Sequence, residues 1–298
     1  MSDRPRFSFA IPAYNRPELL AAAIASVNAI EGAESAEIVV CDDGSALRGG
    51  DLRSALEQSA LPLRYFPNLP PLGAVGNWNR CLREARGEWV TVLHEDDLLF
   101  PNYLRLVQPR LRSGVAAVAV RTQQGASPES IARSAPGRKP GVWKYPPRYF
   151  LKSSMSPFPG VMLHRQRALE LGGFDEKWGP LADYEFWYRV ACAGPVEVVR
   201  EVGAFYRVAP GQWTERAWTR MLRLMHLLRL RIAREQFARQ PALGRWLARF
   251  FTYRNAISYS ERFSERPEVL ARALRLGRIP GSRIPSGWVW QILKASSR

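Results

Sequence analysis

The chain has 298 residues, of which 46% are apolar and 23% charged, the balance of an ordinary globular protein. No apolar run approaches the roughly 18 residues that cross a bilayer, and the run Val115–Val120 has only the length of a strand. Because the residues after Met1 lead straight into a strand-like run, we expect no signal peptide. Three widely spaced cysteines, Cys41, Cys81 and Cys192, match neither a zinc site nor a disulfide framework, which favours a cytoplasmic location.

The net charge of +16 is concentrated at the carboxyl end of the chain. Residues 207–298 hold 19 Lys and Arg against 5 Asp and Glu, whereas residues 1–206 hold 24 against 22. This asymmetry predicts two regions with different tasks. We place a folded domain over residues 1–206 and a basic region over residues 207–298.

Short apolar runs alternate with longer amphipathic runs over the first 120 residues. The pattern predicts strands at 7–11, 37–41, 63–66, 89–93 and 115–120, and helices at 17–30, 51–59, 73–86 and 102–112. Strands that alternate with helices predict an α/β fold with a mostly parallel sheet covered on both faces. In such sheets the functional residues collect in the loops after the carboxyl ends of the strands.

The rest of the chain is predicted as a long loop, then short α/β segments, then helices. Residues 121–140 are rich in Gly, Pro, Ser and Gln and predict a long loop, either a mobile lid or a disordered segment. A strand, a helix, a Gly-Gly turn, a helix from Asp183 and a strand at 196–199 follow. The basic region is predicted as helices at 214–239, 242–262 and 267–276, with a last segment at 287–293.

Polar and acidic residues directly follow three of the predicted strands. These segments are Pro12-Ala13-Tyr14-Asn15-Arg16, Asp42-Asp43-Gly44-Ser45 and His94-Glu95-Asp96-Asp97. An isolated Asp-Asp-Gly-Ser segment is typical of a turn. Carboxylates crowded at the end of a buried strand repel each other unless a cation neutralises them. Because Mg²⁺ and Mn²⁺ prefer oxygen ligands, the third segment predicts a divalent-cation site.

Five segments resemble, in their order and spacing, the motifs of the family 2 glycosyltransferases of the GT-A fold. They are Ile11–Arg16, Asp42–Ser45, Gly87–Asp97, Gly172–Glu176 and Ala182–Arg189, within a resemblance that covers roughly residues 6–206. The resemblance implies a Rossmann-like sheet flanked by helices, to which the basic helical region is appended. It also implies an inverting, metal-dependent transfer of a sugar from a nucleotide-diphospho-sugar, with a UDP-sugar as the expected donor.

The resemblance assigns several positions to the nucleotide. They are Pro12, Ala13, Tyr14, Asp43, Asn79 and Glu95. Tyr14 would stack on the base, and Asp43 would accept hydrogen bonds from the base or the ribose. The expected acceptor is a hydroxyl of a glycan or a lipid-linked molecule in cell-surface polysaccharide synthesis.

The resemblance also implies the residues of the reaction. Asp96 matches the last acid of the family's metal motif, with His94 and Asp97 as further candidate ligands. The cation, Mn²⁺ or Mg²⁺, would neutralise the departing nucleoside diphosphate. Asp183 matches the general base, which would take the proton from the acceptor hydroxyl. Attack on the face opposite the leaving group would invert the anomeric centre.

The sequence departs from the family pattern at three positions. His94 stands where the family usually has Asp, Ala182 where Glu precedes the base, and Trp78 where many relatives carry Arg beside Asn79. His94 is either a ligand, better suited to Mn²⁺ than to Mg²⁺, or a cap on the strand. These departures keep a second interpretation open, an inactive GT-A scaffold that binds glycans or membranes. A sugar-nucleotidyltransferase is not expected, because the first strand lacks a Gly-rich basic loop after it.

Aromatic residues flank the expected base, and Glu185 follows it in the same helix. We expect Trp187 to be a core residue and Glu185 to be structural. Trp178 is as well suited to stacking on an acceptor sugar as to the core.

The first helix of the basic region is amphipathic. Its basic face carries Arg216, Arg220, Arg223, Arg231 and Arg234, and the opposite face carries Trp, Met, Leu and Ile. One interpretation is a helix that packs on the protein with a solvated arginine face. Another is attachment to an anionic membrane surface, with Trp246, Trp288 and Trp290 as anchors. Nucleic-acid binding is not expected, because no recognised module accompanies the charge; self-association is left open.

Overall fold

The computed structural model describes residues 4–45, 54, 56–57, 59–128, 141–209, 213–263 and 289. The chain divides into two compact units, Met1–Tyr145 with Met155–Ala209, and Pro146–Ser154 with Pro210–Arg298. That a catalytic domain ends at residue 206 stays a prediction. Among the described residues, no helix is long and apolar enough to span a membrane.

The first unit is built on a sheet that has nine strands in the described part of the chain. The strands are β1 (Phe7–Ala13), β2 (Ala36–Asp42), β3 (Leu63–Pro67), β4 (Trp89–Val92), β5 (Leu98–Leu99), β6 (Ala117–Gly125), β7 (Val142–Lys144), β8 (Val161–His164) and β9 (Val196–Arg207). Its helices are α1 (Pro17–Asn28), α2 (Gly73–Glu84), α3 (Tyr103–Val107), α4 (Arg165–Glu170) and α5 (Ala182–Ala193).

The predicted α/β class is confirmed, and the sheet is mixed. The strand order is β3-β2-β1-β4-β8-β6-β9-β5, with β7 against β9. The strands β1 to β4 form parallel pairs, whereas β8 lies antiparallel between β4 and β6. The strands β5 and β7 also run antiparallel to β9. The apolar pattern of a short strand does not encode its direction, so the sequence could not distinguish these strands from parallel ones.

The first half of the sheet forms the core that positions the site. Every residue of β1 and of β2 is buried, as expected for strands covered on both faces. Phe9 and Ile11 belong to one core cluster with Leu20 and Ile24 of α1. Each such side chain contributes about 1.5–3 kcal/mol when it is fully buried. This packing fixes where β1 ends, and therefore where its loop begins.

Several element boundaries differ from the predictions. The strand β6 continues to Gly125, although a loop was expected from residue 121, because residues 121–125 pair with β9. The strand β9 likewise extends well beyond residue 199. The predicted helix at 102–112 is the short α3 followed by a 3-10 turn at Gln108–Arg110 that contains a proline. Most of the predicted lid and of the helices at 51–59, 267–276 and 287–293 lies outside the described residues.

The second unit contains two long helices, α6 (Trp213–Gln236) and α7 (Pro241–Phe263). The amphipathic prediction for α6 is confirmed. Its apolar face is buried within the protein, at Trp218, Met221, Leu222, Met225, Leu228 and Ile232. Its basic face leaves Arg216, Arg220, Arg223 and Arg234 exposed. The apolar face is therefore already covered and is not free to enter a bilayer.

Arg229 of α6 joins the two segments of the second unit. It is 1% exposed, and its guanidinium donates to the carbonyl oxygens of Leu151 at 2.8 Å and Lys152 at 3.1 Å. The same group donates to the Asn255 side chain on α7. Because hydrogen-bond acceptors surround the buried cation, it is compensated by dipoles at the end of the 3-10 turn Pro147–Leu151.

Candidate active site

The loops after β1, β2 and β4 meet at one edge of the sheet. The amide of Asp43 donates to the carbonyl of Ala13 at 2.9 Å, and the amide of Asn15 donates to Oγ of Ser45 at 2.9 Å. The amide of Tyr14 donates to Oε2 of Glu95 at 2.8 Å. The three predicted polar segments are thus adjacent, because β1 pairs with both β2 and β4.

Glu95 is a buried carboxylate that organises the loop after β1. It is 2% exposed, and it accepts hydrogen bonds from the Tyr14 amide and from Nε of Arg16 at 2.6 Å. Nη1 of Arg16 donates at 2.8 Å to Oδ2 of Asp96, so one guanidinium bridges both acids. Burial raises the pKa of Glu95 to about 7 despite these contacts. Both of its oxygens are engaged by protein donors, and its predicted contact with the nucleotide stays a prediction.

The other residues assigned to the nucleotide occupy the ends of β1 and β2. Pro12 and Ala13 are buried at the end of β1, and Tyr14 is 55% exposed. Asp43 is buried, and its Oδ1 accepts from Nδ2 of Asn68 at 3.0 Å and from the amide of Leu72 at 2.7 Å. In the described part of the chain, no protein group donates to its Oδ2. Tyr14 therefore presents an open ring, and Asp43 an acceptor oxygen that no described residue occupies.

The Asp-Asp-Gly-Ser segment is also a turn, and its two acids have different contacts. Asp42 accepts from the hydroxyl of Tyr65 at 2.6 Å and from the amide of Ser45 at 3.1 Å. The hydroxyl of Ser45 donates to the same carboxylate. Asp42 therefore shapes the turn, whereas Asp43 keeps an oxygen available.

Two asparagines that the sequence analysis missed support this turn. Nδ2 of Asn68 donates to Oδ1 of Asn77 at 2.9 Å, and Nδ2 of Asn77 donates to the carbonyl of Cys41 at 2.9 Å. Both side chains are buried. Single asparagines in a loop and a helix carry no periodic signal, so only the structure reveals this chain of amides.

The acidic segment after β4 has the composition of a cation site. The side chains of His94, Asp96 and Asp97 each offer one ligand atom, and these atoms lie within 4.8 Å of one another. Asp97 is 1% exposed, and its Oδ1 accepts from the amide of Arg207 at 3.0 Å. Oδ2 of Asp97 and Nε2 of His94 are buried without a hydrogen-bond partner among the described residues. Unpartnered oxygen and nitrogen atoms in one acidic cluster fit a divalent cation.

Burial shifts the pKa values of two side chains in the acidic segment after β4. Burial, and secondarily the charge of Asp96, raises the pKa of Asp97 well above its usual range. Burial also lowers the pKa of His94 to about 4, so that the imidazole is neutral at physiological pH. Its ring stacks on Trp78, with ring centroids 5.2 Å apart, and lies 4.3 Å from the ring of Phe158.

Asp183 lies in the first turn of α5 and is half-buried. Its Oδ1 accepts from the amide of Tyr184 at 2.6 Å, and burial raises its pKa to about 6. Ala182 is fully buried. Glu185 forms an ion pair with Arg189 at 2.8 Å, as expected for a structural residue.

The Gly-Gly-Phe-Asp turn is held in place by side chains of two helices. Arg189 donates to the carbonyls of Leu171 and Gly173. Nδ2 of Asn79 donates to the carbonyl of Phe174 at 2.8 Å, and Oδ1 of Asn79 accepts from the Phe174 amide at 2.8 Å. Because both ends of the Asn79 amide pair with the backbone of Phe174, Asn79 has a structural role here. Its contact with the nucleotide stays a prediction.

The two tryptophans near Asp183 differ in exposure. Trp187 is 1% exposed and packs against Phe158 and Phe174, so its expected place in the core is confirmed. Trp178 is half-buried.

Comparison with known proteins identifies the fold and the family of this chain. The chain shares its fold with GT-A glycosyltransferases of known structure. TarS of S. aureus in complex with UDP-GlcNAc has a TM-score of 0.66 at 15% identity, over 90% of this chain and 79% of that chain. The mannosyltransferase PcManGT from Pyrobaculum calidifontis, in complex with GDP-Man and Mn²⁺, has a TM-score of 0.57 at 18% identity, over 99% and 85%.

Residues 8–169 match the family described as glycosyl transferase family 2, and the chain belongs to this family. It is 28% identical over 251 residues to the succinoglycan biosynthesis protein ExoO of Rhizobium meliloti, covering 80% of this chain and 70% of that protein. It is 33% identical over 115 residues to the GalNAc(5)-diNAcBac-PP-undecaprenol beta-1,3-glucosyltransferase of Campylobacter jejuni, covering 38% and 37%.

An uncharacterised protein of Mycobacterium tuberculosis is 29% identical over 211 residues, covering 63% of this chain and 62% of that protein. The chain therefore spans less than two thirds of the Mycobacterium and Campylobacter proteins. Membership of the family supports glycosyl transfer as the class of activity.

The two hydrogen bonds between the Asn79 side chain and the backbone of Phe174, here called the Asn79 clamp, lead to a prediction about two adjacent glycines. Gly172 and Gly173 both have positive φ, of 80° and 65°. A Cβ at Gly172 would meet open space, whereas a Cβ at Gly173 would overlap Oδ1 of Asn79. Gly172→Ala should therefore lower the free energy of unfolding by about 1–2 kcal/mol, the cost of the left-handed backbone alone. Gly173→Ala should cost clearly more, as measured by urea denaturation.

The control for this prediction is the same substitution in an Asn79→Ala background. With the amide removed, Gly173→Ala should cost about as much as Gly172→Ala. Equal costs at the two glycines in the otherwise unchanged chain would contradict the clamp.

Proposed function

We propose that the protein is an inverting glycosyltransferase that uses a nucleotide-diphospho-sugar and a divalent cation. The observation that carries the proposal is the meeting of three loops at one sheet edge. They bring the open ring of Tyr14 to the same edge as Oδ2 of Asp43 and the atoms of His94 and Asp97 that have no hydrogen-bond partner among the described residues. A UDP-sugar is the proposed donor, and the UDP-GlcNAc complex of TarS, a protein of the same fold, supports this choice.

In this proposal, Pro12, Ala13 and Tyr14 form a wall for the base, and Asp43 accepts hydrogen bonds from the base or the ribose. Asp96, with His94 and Asp97, would hold the cation. When bound, the cation supplies the positive charge that a departing diphosphate requires. Glu95 keeps the loop after β1 in place through the Tyr14 amide, so that the nucleotide wall is formed before the donor arrives.

Asp183 is the proposed general base. It would accept the proton of the acceptor hydroxyl while the oxygen attacks the anomeric carbon opposite the leaving group. The raised pKa of about 6 suits this task, because the carboxylate is still ionised at neutral pH yet is a stronger base than an exposed one. Glu185 is a poor alternative, because its carboxylate is paired with Arg189.

The proposed acceptor is a glycan or a lipid-linked molecule in cell-surface polysaccharide synthesis. Two relatives support this class by name, the succinoglycan biosynthesis protein and the glucosyltransferase whose name contains an undecaprenol-linked glycan. A membrane-linked acceptor agrees with a protein that works at the cytoplasmic face of the membrane. Retention of Asp96 and Asp183 favours an enzyme over an inactive scaffold.

We also propose that the exposed arginines of α6 attach the protein to anionic lipid by charge alone. The apolar face of α6 is buried, so insertion of that face is not part of the proposal. Trp246 is half-buried and stacks on Phe250, whereas Trp288 and Trp290 lie outside the described residues. Arginine near an anionic surface gains about 1 kcal/mol per residue.

Asp96 should be required for cation-dependent binding of nucleoside diphosphate. Asp96→Ala removes the acid at the centre of the proposed site, so calorimetry should detect no Mn²⁺-dependent affinity for UDP. Glu170→Ala, which removes an exposed carboxylate on α4, is the control and should bind as the unmodified chain does. Unchanged Mn²⁺-dependent affinity in Asp96→Ala would refute the metal assignment.

Asp183→Asn should separate donor binding from transfer. The amide keeps the shape but cannot accept the proton, so UDP-sugar affinity should survive while transfer falls by roughly 10² to 10⁴. Since the pKa of Asp183 is raised to about 6, transfer by the unmodified enzyme should fall as pH drops through about 6, where the base becomes protonated. The residual activity of Asp183→Asn should not show this fall as the pH drops. Near-normal transfer in Asp183→Asn would show that another residue is the general base.

The arginine face of α6 should control lipid binding without affecting the donor site. Replacing Arg216, Arg220 and Arg223 with Gln should reduce flotation with anionic vesicles and leave UDP affinity unchanged. The association should also weaken with salt, because the Debye length falls from about 10 Å at 0.1 M to about 3 Å at 1 M. Absence of flotation by the unmodified chain at low salt would assign these arginines to a solvated surface.

A further inference from the structure

Two of the positions where the sequence departs from its family are in direct contact. The rings of His94 and Trp78 are stacked, with centroids 5.2 Å apart and an angle of 25° between their planes. On α2, Trp78 is 7% exposed. Two departures that looked unrelated in the sequence therefore form one aromatic pair.

A third ring completes the packing around the imidazole. Phe158, in the 3-10 turn Phe158–Gly160, lies 4.3 Å from the His94 ring and 4.7 Å from the ring of Trp78. Phe158 is itself fixed by Phe174 at 5.3 Å and Trp187 at 5.4 Å. Because all of these rings except His94 are buried, the imidazole is held in one orientation by the core of the unit.

The imidazole held in this way has an unused nitrogen. Nε2 of His94 is buried without a hydrogen-bond partner in the described part of the chain, and so is Oδ2 of Asp97, which is 1% exposed. A ligand atom of His94 lies within 4.8 Å of carboxylate oxygens of Asp96 and Asp97. Buried polar atoms left unpaired destabilise a fold unless a ligand uses them. Two residues of one cluster that each carry such an atom indicate a ligand that accepts both nitrogen and oxygen.

We propose that His94 is a nitrogen ligand of the catalytic cation and that it makes the site prefer Mn²⁺ to Mg²⁺, with Trp78 and Phe158 as positioning residues. The proposal rests on the proposed function, because it refines the cation site of that reaction. Imidazole suits transition-metal ions, whereas Mg²⁺ prefers oxygen ligands in near-ideal octahedral geometry and retains several waters.

The aromatic partners suit such a ligand better than a charged partner would. Trp78 orients the ring without placing a positive charge beside the cation, which an arginine at this position would do. The neutral stack also leaves the imidazole nitrogen without a competing donor. His94 and Trp78 therefore act together, and either change alone should disturb the site.

The test is a spectroscopic measurement on the full chain with Mn²⁺ and UDP as probes. Electron spin echo envelope modulation should show a ¹⁴N coupling from directly bound imidazole in the unmodified protein. His94→Asp should abolish that coupling, and His94→Gln should do so as well if His94→Asp is unstable. Trp78→Leu should weaken the coupling, whereas Trp78→Phe should preserve it.

The matched control is His164, a second histidine packed on a tryptophan. Its ring lies 5.1 Å from that of Trp89, where β8 pairs with the start of β4, and it does not belong to the acidic cluster. His164→Asn should leave the nitrogen coupling unchanged. Loss of the coupling in His164→Asn but not in His94→Asp would overturn the assignment.

A second measurement tests ion selectivity by calorimetry. The ratio of UDP affinities in Mn²⁺ and in Mg²⁺ should fall by about tenfold in His94→Asp, equivalent to about 1.4 kcal/mol. If the unmodified protein shows no nitrogen coupling and His94→Asp leaves the ratio unchanged, the proposal fails. In that case Asp96→Ala distinguishes failure of the His94 proposal from failure of the proposed function. Cation-dependent UDP binding that is lost in Asp96→Ala leaves the proposed function intact. Cation-independent UDP binding by the unmodified protein would overturn both.

Discussion

Glu95 joins the loops after β1 and β4 through a single buried carboxylate, and the candidate site depends on this contact. One oxygen holds the Tyr14 amide and the other holds Arg16, which also reaches Asp96. The contact forms because β4 pairs with β1 in parallel, so that both strands end at the same edge. Burial makes the ionised form of Glu95 costly and raises its pKa to about 7, and the bridging guanidinium offsets only part of that cost. The geometry of the proposed nucleotide wall is therefore coupled to the charge of the acidic segment.

The rest of the site is built by the same combination of buried acids and fixed donors. Asp97 is held by the amide of Arg207 on β9, and Asp43 by Asn68 and the amide of Leu72. In each case one oxygen is used by the fold and the other has no protein donor among the described residues. This division lets a carboxylate be positioned by the protein and still bind a ligand, as preorganised sites require.

Burial distinguishes two kinds of arginine in the basic region. Arg229 and the exposed arginines of α6 are indistinguishable by residue type, yet Arg229 is 1% exposed and bonded to two carbonyls of the turn at 147–151. It is a structural cation. The exposed arginines, by contrast, remain available to solvent or to an anionic partner, and the buried apolar face restricts such a partner to a surface interaction.

The sequence by itself determined the α/β class, the first four strands, the helical basic region and the clustering of polar segments after β1, β2 and β4. The elements follow from local periodicity, and the clustering follows because neighbouring parallel strands end at the same edge of a sheet. It did not determine the antiparallel strands, the extent of β6 and β9, the amide chain from Asn68 through Asn77 to the carbonyl of Cys41, or the clamp of Asn79 on Phe174. Those depend on contacts between residues far apart in the chain, such as Asn79 and Phe174. The stack of Trp78 on His94 belongs to the same group, because only the folded sheet brings α2 and the end of β4 together.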